Sequence, residues 1–274
     1  MLVVLASSAG AADYCVGAVL GACSGPAQPM NRTGLQNAIN AAQNTATESN
    51  RVLIGPGTLQ LSTGGVAAAP TGGHTLSIVG AGIDATTIAK GAFPGPGPPA
   101  PSVGIDTNVV SGPPVEFSDL TLLGSATVEP EVVLEVTRGA SLNRVRVAAS
   151  PGSGDAFHFG IEAVGAAPLT VANSSVEVSG ASVEGIATAA PTALTLTDTR
   201  LTTLGLAADS QIGVEALGTV LGKRVTFSGF ERAVQGRTSP SLEFDDSLFV
   251  ASTDPDSPAI WSGLDLKLRG VTIV

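Results

Sequence analysis

Charge and aromatic side chains are scarce in this 274-residue chain, at 13% and 4% of residues, and there are only two cysteines, two histidines and one tryptophan. Each shortage excludes something. With 13 Lys and Arg against 23 Asp and Glu, a net charge of −10 leaves no clustered cations to neutralise phosphates, so nucleic acid is not an expected partner. Two cysteines with His74 and His158 far away in sequence do not make a structural zinc site. No apolar run approaches the ~20 residues of a spanning helix. Low charge with a mean hydropathy of +0.35 excludes a disordered chain, and glycine does not recur at every third position as collagen requires. What is plentiful is glycine (34), proline (18) and small or β-branched apolar residues, the composition of a strand-rich fold with many turns.

The opening "MLVVLASSAGAADYC" joins a short apolar run to Ala9-Gly10-Ala11-Ala12. It resembles the latter half of a secretory signal, so residues 1–12 are read as the remnant of a targeting segment and the protein as secreted or on the cell surface. In that setting Cys15 and Cys23 are expected to close a small disulfide loop within 13–31.

From there one phrase recurs, an apolar anchor followed by a polar corner and a second apolar run: "FSDLTL" at Phe117, "LNRVRV" at Leu142, "VANSSVEV" at Val171, "LTDTRL" at Leu196, "LGKRVTF" at Leu221, "FDDSLFV" at Phe244 and "LRGVTI" at Leu268. The spacings are 25, 29, 25, 25, 23 and 24 residues, a solenoid period. A third apolar run lies upstream of each phrase, centred on Ile105, Leu134, Ile161, Ile186, Val214, Val234 and Ile260. Three strands per rung, with Asp119, Asn173, Asp198, Asp246 and Gly270 at the bends, describe a parallel β-helix in which like strands pair ~4.8 Å apart and corner residues tolerate a left-handed backbone.

These features resemble the right-handed parallel β-helix family, the pectate-lyase-like superfamily, over residues 33–274. "TGLQNAINAAQ", "RVLIGPGTLQL" and "HTLSIVGAGIDATTIAKG" look like that family's capping helix, first strand and first rung. The expected fold is all-β: a right-handed parallel β-helix of about eight rungs over 32–274 with an N-terminal capping α-helix. Thr33 and Gln36 form a capping-box pattern, and Leu35, Ala38, Ile39 and Ala42 make one apolar stripe to cover the open end. The last rung, "LRGVTIV", has no cap, so a further chain or partner is expected there. "PGPGPPAP" at 94–101 reads as a stiff extended excursion.

If the aliphatics of the third strand point inward, the residues after them form an outward column: Asp106, Glu135, Glu162, Ala187, Glu215, Gln235 and Trp261. Carboxylates on neighbouring rungs repel by about 1 kcal/mol in water, and a calcium ion bound by Asp106, Glu135 and Glu162 would relieve this. The family resemblance implies that a substrate groove follows this strand, with carboxylates on calcium and a basic residue removing a proton from a uronate. On that reading Glu135, Glu162 and Arg138 are the catalytic candidates, Arg138 as base, while Glu215, Gln235 and Trp261 contact substrate, the indole offering a flat face to a sugar. The expected function is contact with extracellular polysaccharide, non-catalytic or weakly catalytic. The alternatives are a calcium-dependent polysaccharide lyase or related glycosidase, and a purely structural stalk.

The other motifs carry less. The Gly-His-Gly of polygalacturonases and the Gln-Asp-Thr of pectin esterases are absent. "VGAGIDA" at 79–85 fits a dinucleotide fingerprint, but "TTIAKG" after it is no helix start. "NRT" at 31–33 and "NSS" at 173–175 match glycosylation triplets, and Asn173 is needed at its corner. His158 reads as packed at a turn.

Overall fold

The computed structural model describes the chain apart from residues 1–10, 20, 22, 45–48, 62–64, 71–73, 91–104, 107–113, 125–130, 150–156, 181, 189–190, 205–209, 238–240, 251–257 and 263–264. The leader-like residues 1–10 and the proline-rich 94–101 therefore lie outside the described residues. Every strand pairing is parallel, and each strand pairs with its equivalents one turn away. The chain is a parallel β-helix. Six turns contribute their third strands to one continuous sheet, while the two earlier third strands, Val66–Ala67 and Ile105–Asp106, form a pair of their own.

The repeating anchors stack as the period requires. Phe117, Leu142, Val171 and Leu196 occupy one register column and are 0–1% exposed. Burying each such side chain contributes roughly 1.5–3 kcal/mol. The next member of the column is Gly222, not the expected Leu221: Leu196 aligns with Gly222, and Gly222 with Phe244. Leu221 points outward and is 44% exposed. The Phe244 ring explains the offset, since a Cβ on Gly222 would lie 2.2 Å from its edge. One oversized residue fills the space of two. Phe244 also packs edge-on against Phe227 and Phe249, which stack with centroids 4.9 Å apart.

The corners follow the left-handed expectation and extend it. Asp119, Asn173, Asp198 and Asp246 have φ between 49° and 58°, as do Arg144 and Arg224, and Gly270 has φ 61°. The two arginines are unusual at such a bend. Each is held by a bidentate ion pair to the corner aspartate one turn before it, Arg144 to Asp119 at 2.6 Å and Arg224 to Asp198 at 2.5 Å.

At the first end the helix Arg32–Asn44 buries Leu35, Ala38, Ile39 and Ala42 against the opening turn. Its N-cap is Asn31, whose Oδ1 accepts from the Gly34 amide at 2.9 Å. The capping-box pattern on Thr33 and Gln36 is not the one used. Gln36 instead exchanges two hydrogen bonds of 2.9 Å with the backbone of Ala67, tying the helix to the third strand of the first turn. The strand Asp13–Val16 pairs with Asn50–Ile54, and a Cys15–Cys23 disulfide closes the segment that follows it. At the other end Leu266, Leu268 and Ile273 continue the core columns but are 39–51% exposed. The glycine motif at 79–85 forms a turn closed by Gly82 (φ 144°) and leads into the strand Thr86–Lys90, so no helix follows it.

Candidate functional site

The third sheet is built from the strands Glu131–Val136, Phe157–Ala163, Ser182–Thr188, Ser210–Ala216, Arg232–Gly236 and Ile260–Trp261. Its register places Leu134, Ile161, Ile186, Val214, Val234 and Ile260 in one column, the first five 0% exposed. The outward neighbours Glu135, Glu162, Ala187, Glu215, Gln235 and Trp261 align beside them. Six of the seven expected levels are thus consecutive. Ile105 and Asp106 pair with Val66 and Ala67 of the turn before and lie beside the strand Glu131–Val136 without joining its ladder, and the side chain of Asp106 lies outside the described residues.

A second outward column comes from a break in the alternation. Gly160, Gly185 and Gly213 occupy equivalent positions, and a Cβ on them would lie 2.6, 2.6 and 2.5 Å from the backbone oxygen of Gly185, Gly213 and Ala233 on the next turn. Only glycine admits so close an approach. Before it His158, Val183 and Gln211 are 0% exposed, and after it Ile161, Ile186 and Val214 are also 0% exposed. The phase of in and out therefore shifts by one at the glycine. Residues three apart, such as Glu184 and Ala187 or Arg232 and Gln235, come to the same face. Arg232 confirms this by donating to Gln235 Oε1 at 2.9 Å.

This brings Glu184 into the site. Where small Ala187 interrupts the acidic column, Glu184 on the same strand supplies a carboxyl that interacts with Glu162 and Glu215 on the strands either side. It is 5% exposed. Burial first, then repulsion from Glu215, partly opposed by Arg237 and followed by a weaker repulsion from Glu162, pushes its pKa up to about 7. Burial likewise raises Glu162 and Glu215, the latter opposed by Arg237, which makes an ion pair with it at 2.9 Å. At the far end of the column Trp261 is 51% exposed, with the Arg232 guanidinium 5.9 Å from its ring centroid.

The other expected residues fall differently. Arg138 is enclosed, 1% exposed, and its Nη1 donates to the Pro70 carbonyl at 2.8 Å. Burial lowers its pKa from the ordinary arginine value. Glu135 stands next to Glu162 in the column. Among the described residues no three His, Cys, Asp or Glu side chains converge closely enough to hold a metal ion, so the carboxylates form a row instead of a cage. Gln235 is 4% exposed beneath Arg232. His158 is enclosed in the core beside the Gly180 turn.

Strict alternation from Ile186 hides Glu184, because it assigns residue 184 to the interior. The signal that finds it is "FGIEA", "EGIAT" and "IGVEA", a Gly followed by an inward aliphatic on three consecutive turns. Arg237 lies just past the strand Arg232–Gly236 and is found only from the fold.

No protein-family model matches the chain, and no curated protein does. Among solved structures it is similar to Escherichia coli YbhC at 14% identity with a TM-score of 0.57, covering 98% of this chain and 86% of that one. A pectin methylesterase from Aspergillus niger is matched over the same shares at 11% identity, with a TM-score of 0.45. The likeness to YbhC is one of fold.

Proposed function

We propose that the outer face of the six-stranded sheet contacts extracellular polysaccharide. The observation that carries this reading is the register itself, which lines Glu135, Glu162, Glu215, Gln235 and Trp261 along one straight face whose length suits a linear polymer. A half-exposed indole at its end supplies a stacking surface, and buried polar side chains supply oriented acceptors. The disulfide fits an oxidising compartment and hence a secreted or cell-surface protein.

Trp261 is the only tryptophan in the chain, so its fluorescence reports directly on this face. Titration with a panel of soluble polysaccharides should shift its emission saturably. Trp261→Ala should weaken binding measured by calorimetry about tenfold, in line with sugar–aromatic contacts of roughly 1–2 kcal/mol, while melting at an unchanged temperature. A panel with no saturable response would remove the reading.

A second reading is favoured by Glu184. A carboxyl that is half protonated near pH 7 and stands between two others is a proton donor beside proton acceptors, the division of labour that glycoside cleavage uses. In this chemistry Glu184 protonates the departing oxygen, and Glu162 or Glu215 acts as the second carboxylate. Reducing-end assays on any polysaccharide that binds would show slow release, abolished in Glu184→Gln. Binding with no release leaves a recognition surface alone. The same assays with and without added calcium test whether the ion contributes at Glu135 and Glu162.

A further inference from the structure

The charges on this face point to the kind of polymer it takes. Glu135, Glu162, Glu184 and Glu215 stand on four successive turns, so carboxyls recur at each level over about 14 Å at the ~4.8 Å strand spacing. The cations nearby are already engaged. Arg237 pairs with Glu215 at 2.9 Å, and Arg232 donates to Gln235, pairs with Glu231 at 3.4 Å and lies over Trp261. Glu162 and Glu184, by contrast, make no hydrogen bond or ion pair among the described residues. Glu184 does so while only 5% exposed.

We infer that the ligand of this face is a linear polysaccharide carrying protonated amino groups, of the glucosamine type. The inference rests on the reading that the face binds polysaccharide at all. A polyuronate would bring further carboxylates to a row that repels itself and would find its arginines occupied. A neutral glycan would offer hydroxyl donors but leave the repulsion in place. An ammonium group supplies donors and the missing charge together, and such charge-assisted hydrogen bonds are about twice as strong as neutral ones. A metal ion is the poorer match, because the carboxyls are spread along the axis and do not converge. A basic peptide would satisfy the charges, but the half-exposed Trp261 two turns beyond Glu215 favours a flat sugar ring.

The test is titration of Trp261 fluorescence with matched oligomers: glucosamine, N-acetylglucosamine, galacturonate and lysine. Glucosamine oligomers should bind about tenfold more tightly than their N-acetylated counterparts, the factor expected from one or two charge-assisted bonds, and the gap should close as salt rises. Glu162→Gln and Glu184→Gln should each narrow it, with melting curves confirming that the variants fold. Equal or weaker binding of the amino sugar, or preference for galacturonate, overturns the inference and leaves the polysaccharide reading standing. Lysine oligomers binding as tightly as glucosamine overturn it in favour of a basic peptide. If no saccharide shifts the emission, the reading beneath it fails as well.

Discussion

Two columns of charge run along this solenoid on the same period, and they are treated in opposite ways. At the corners acid and base alternate: Asp119 is answered by Arg144, Asp198 by Arg224, and Asp245 and Glu243 by Arg269. These side chains are exposed, and hydrogen bonds from the arginines hold Asp119, Asp198 and Asp245 below the ordinary aspartate range. On the six-stranded sheet acid follows acid, Glu184 is buried with Glu162 and Glu215 half-buried, and burial pushes these carboxyls the other way. The device that neutralises the corner column reaches Glu215 on the sheet face, through Arg237, and leaves Glu162 and Glu184 without an ion pair among the described residues. A feature that costs stability where a remedy is at hand is better explained by what the face does than by how the chain folds.

The comparison breaks most severely if the glycine bend is lost. Gly213→Val should destabilise the protein by about 3 kcal/mol, because the new Cβ meets the Ala233 carbonyl at 2.5 Å and the Phe227 ring at 2.8 Å, and a backbone atom cannot step aside. Chemical denaturation would measure it, and an unchanged midpoint would show that the bend is not needed.

Glu184 gives the next effect. Its folded pKa of about 7 lies above the ordinary glutamate value of 4.5, so between those values the folded state holds more protons than the unfolded one. Stability accordingly falls as pH rises through that window and is flat above it. The shift corresponds to about 3 kcal/mol at pH 8. Glu184→Gln should recover most of that at pH 8, gain little at pH 4, and flatten the slope between. Thermal melts across pH would show a parallel slope in both proteins if Glu184 is not the titrating group.

The corner aspartates have the opposite sign. Their folded pKa values are depressed, so their contribution is present above the ordinary value of 3.8 and is lost as pH falls through the lower folded value. Being exposed, they matter least. Asp198→Asn should lower the melting temperature slightly at neutral pH and low salt, and the difference should vanish as salt is added. A large drop that survives high salt would mean the pair does more than neutralise charge.

Most of the framework was legible in the sequence because a parallel solenoid converts a repeat in the text directly into a stack. The anchors from Phe117 to Leu196 and the aliphatics from Leu134 to Ile260 needed only a period. What escaped depends on neighbours one turn away. Leu221 looks like an anchor until the Phe244 ring is seen filling the place of its neighbour Gly222. Arg144 and Arg224 look like surface residues until the aspartates that hold them in a left-handed bend are placed. Arg138 looks accessible from its position after Glu135, yet the carbonyl that receives it belongs to Pro70, 68 residues earlier. Glu184 is concealed by a one-residue phase shift. Asn31 instead of Thr33 caps the helix, a difference of local geometry that pattern alone does not resolve.

Because each layer touches only the layers above and below, the reach of the acidic stretch is set by arithmetic. Residues 182–209 make one complete lap, with Ser182 directly under Ser210, so copying that segment in tandem would insert a further storey, with its own Glu184, between floors that otherwise keep their contacts. A gene encoding such a protein can lengthen this face by duplication, one strand spacing at a time, without redesigning a core.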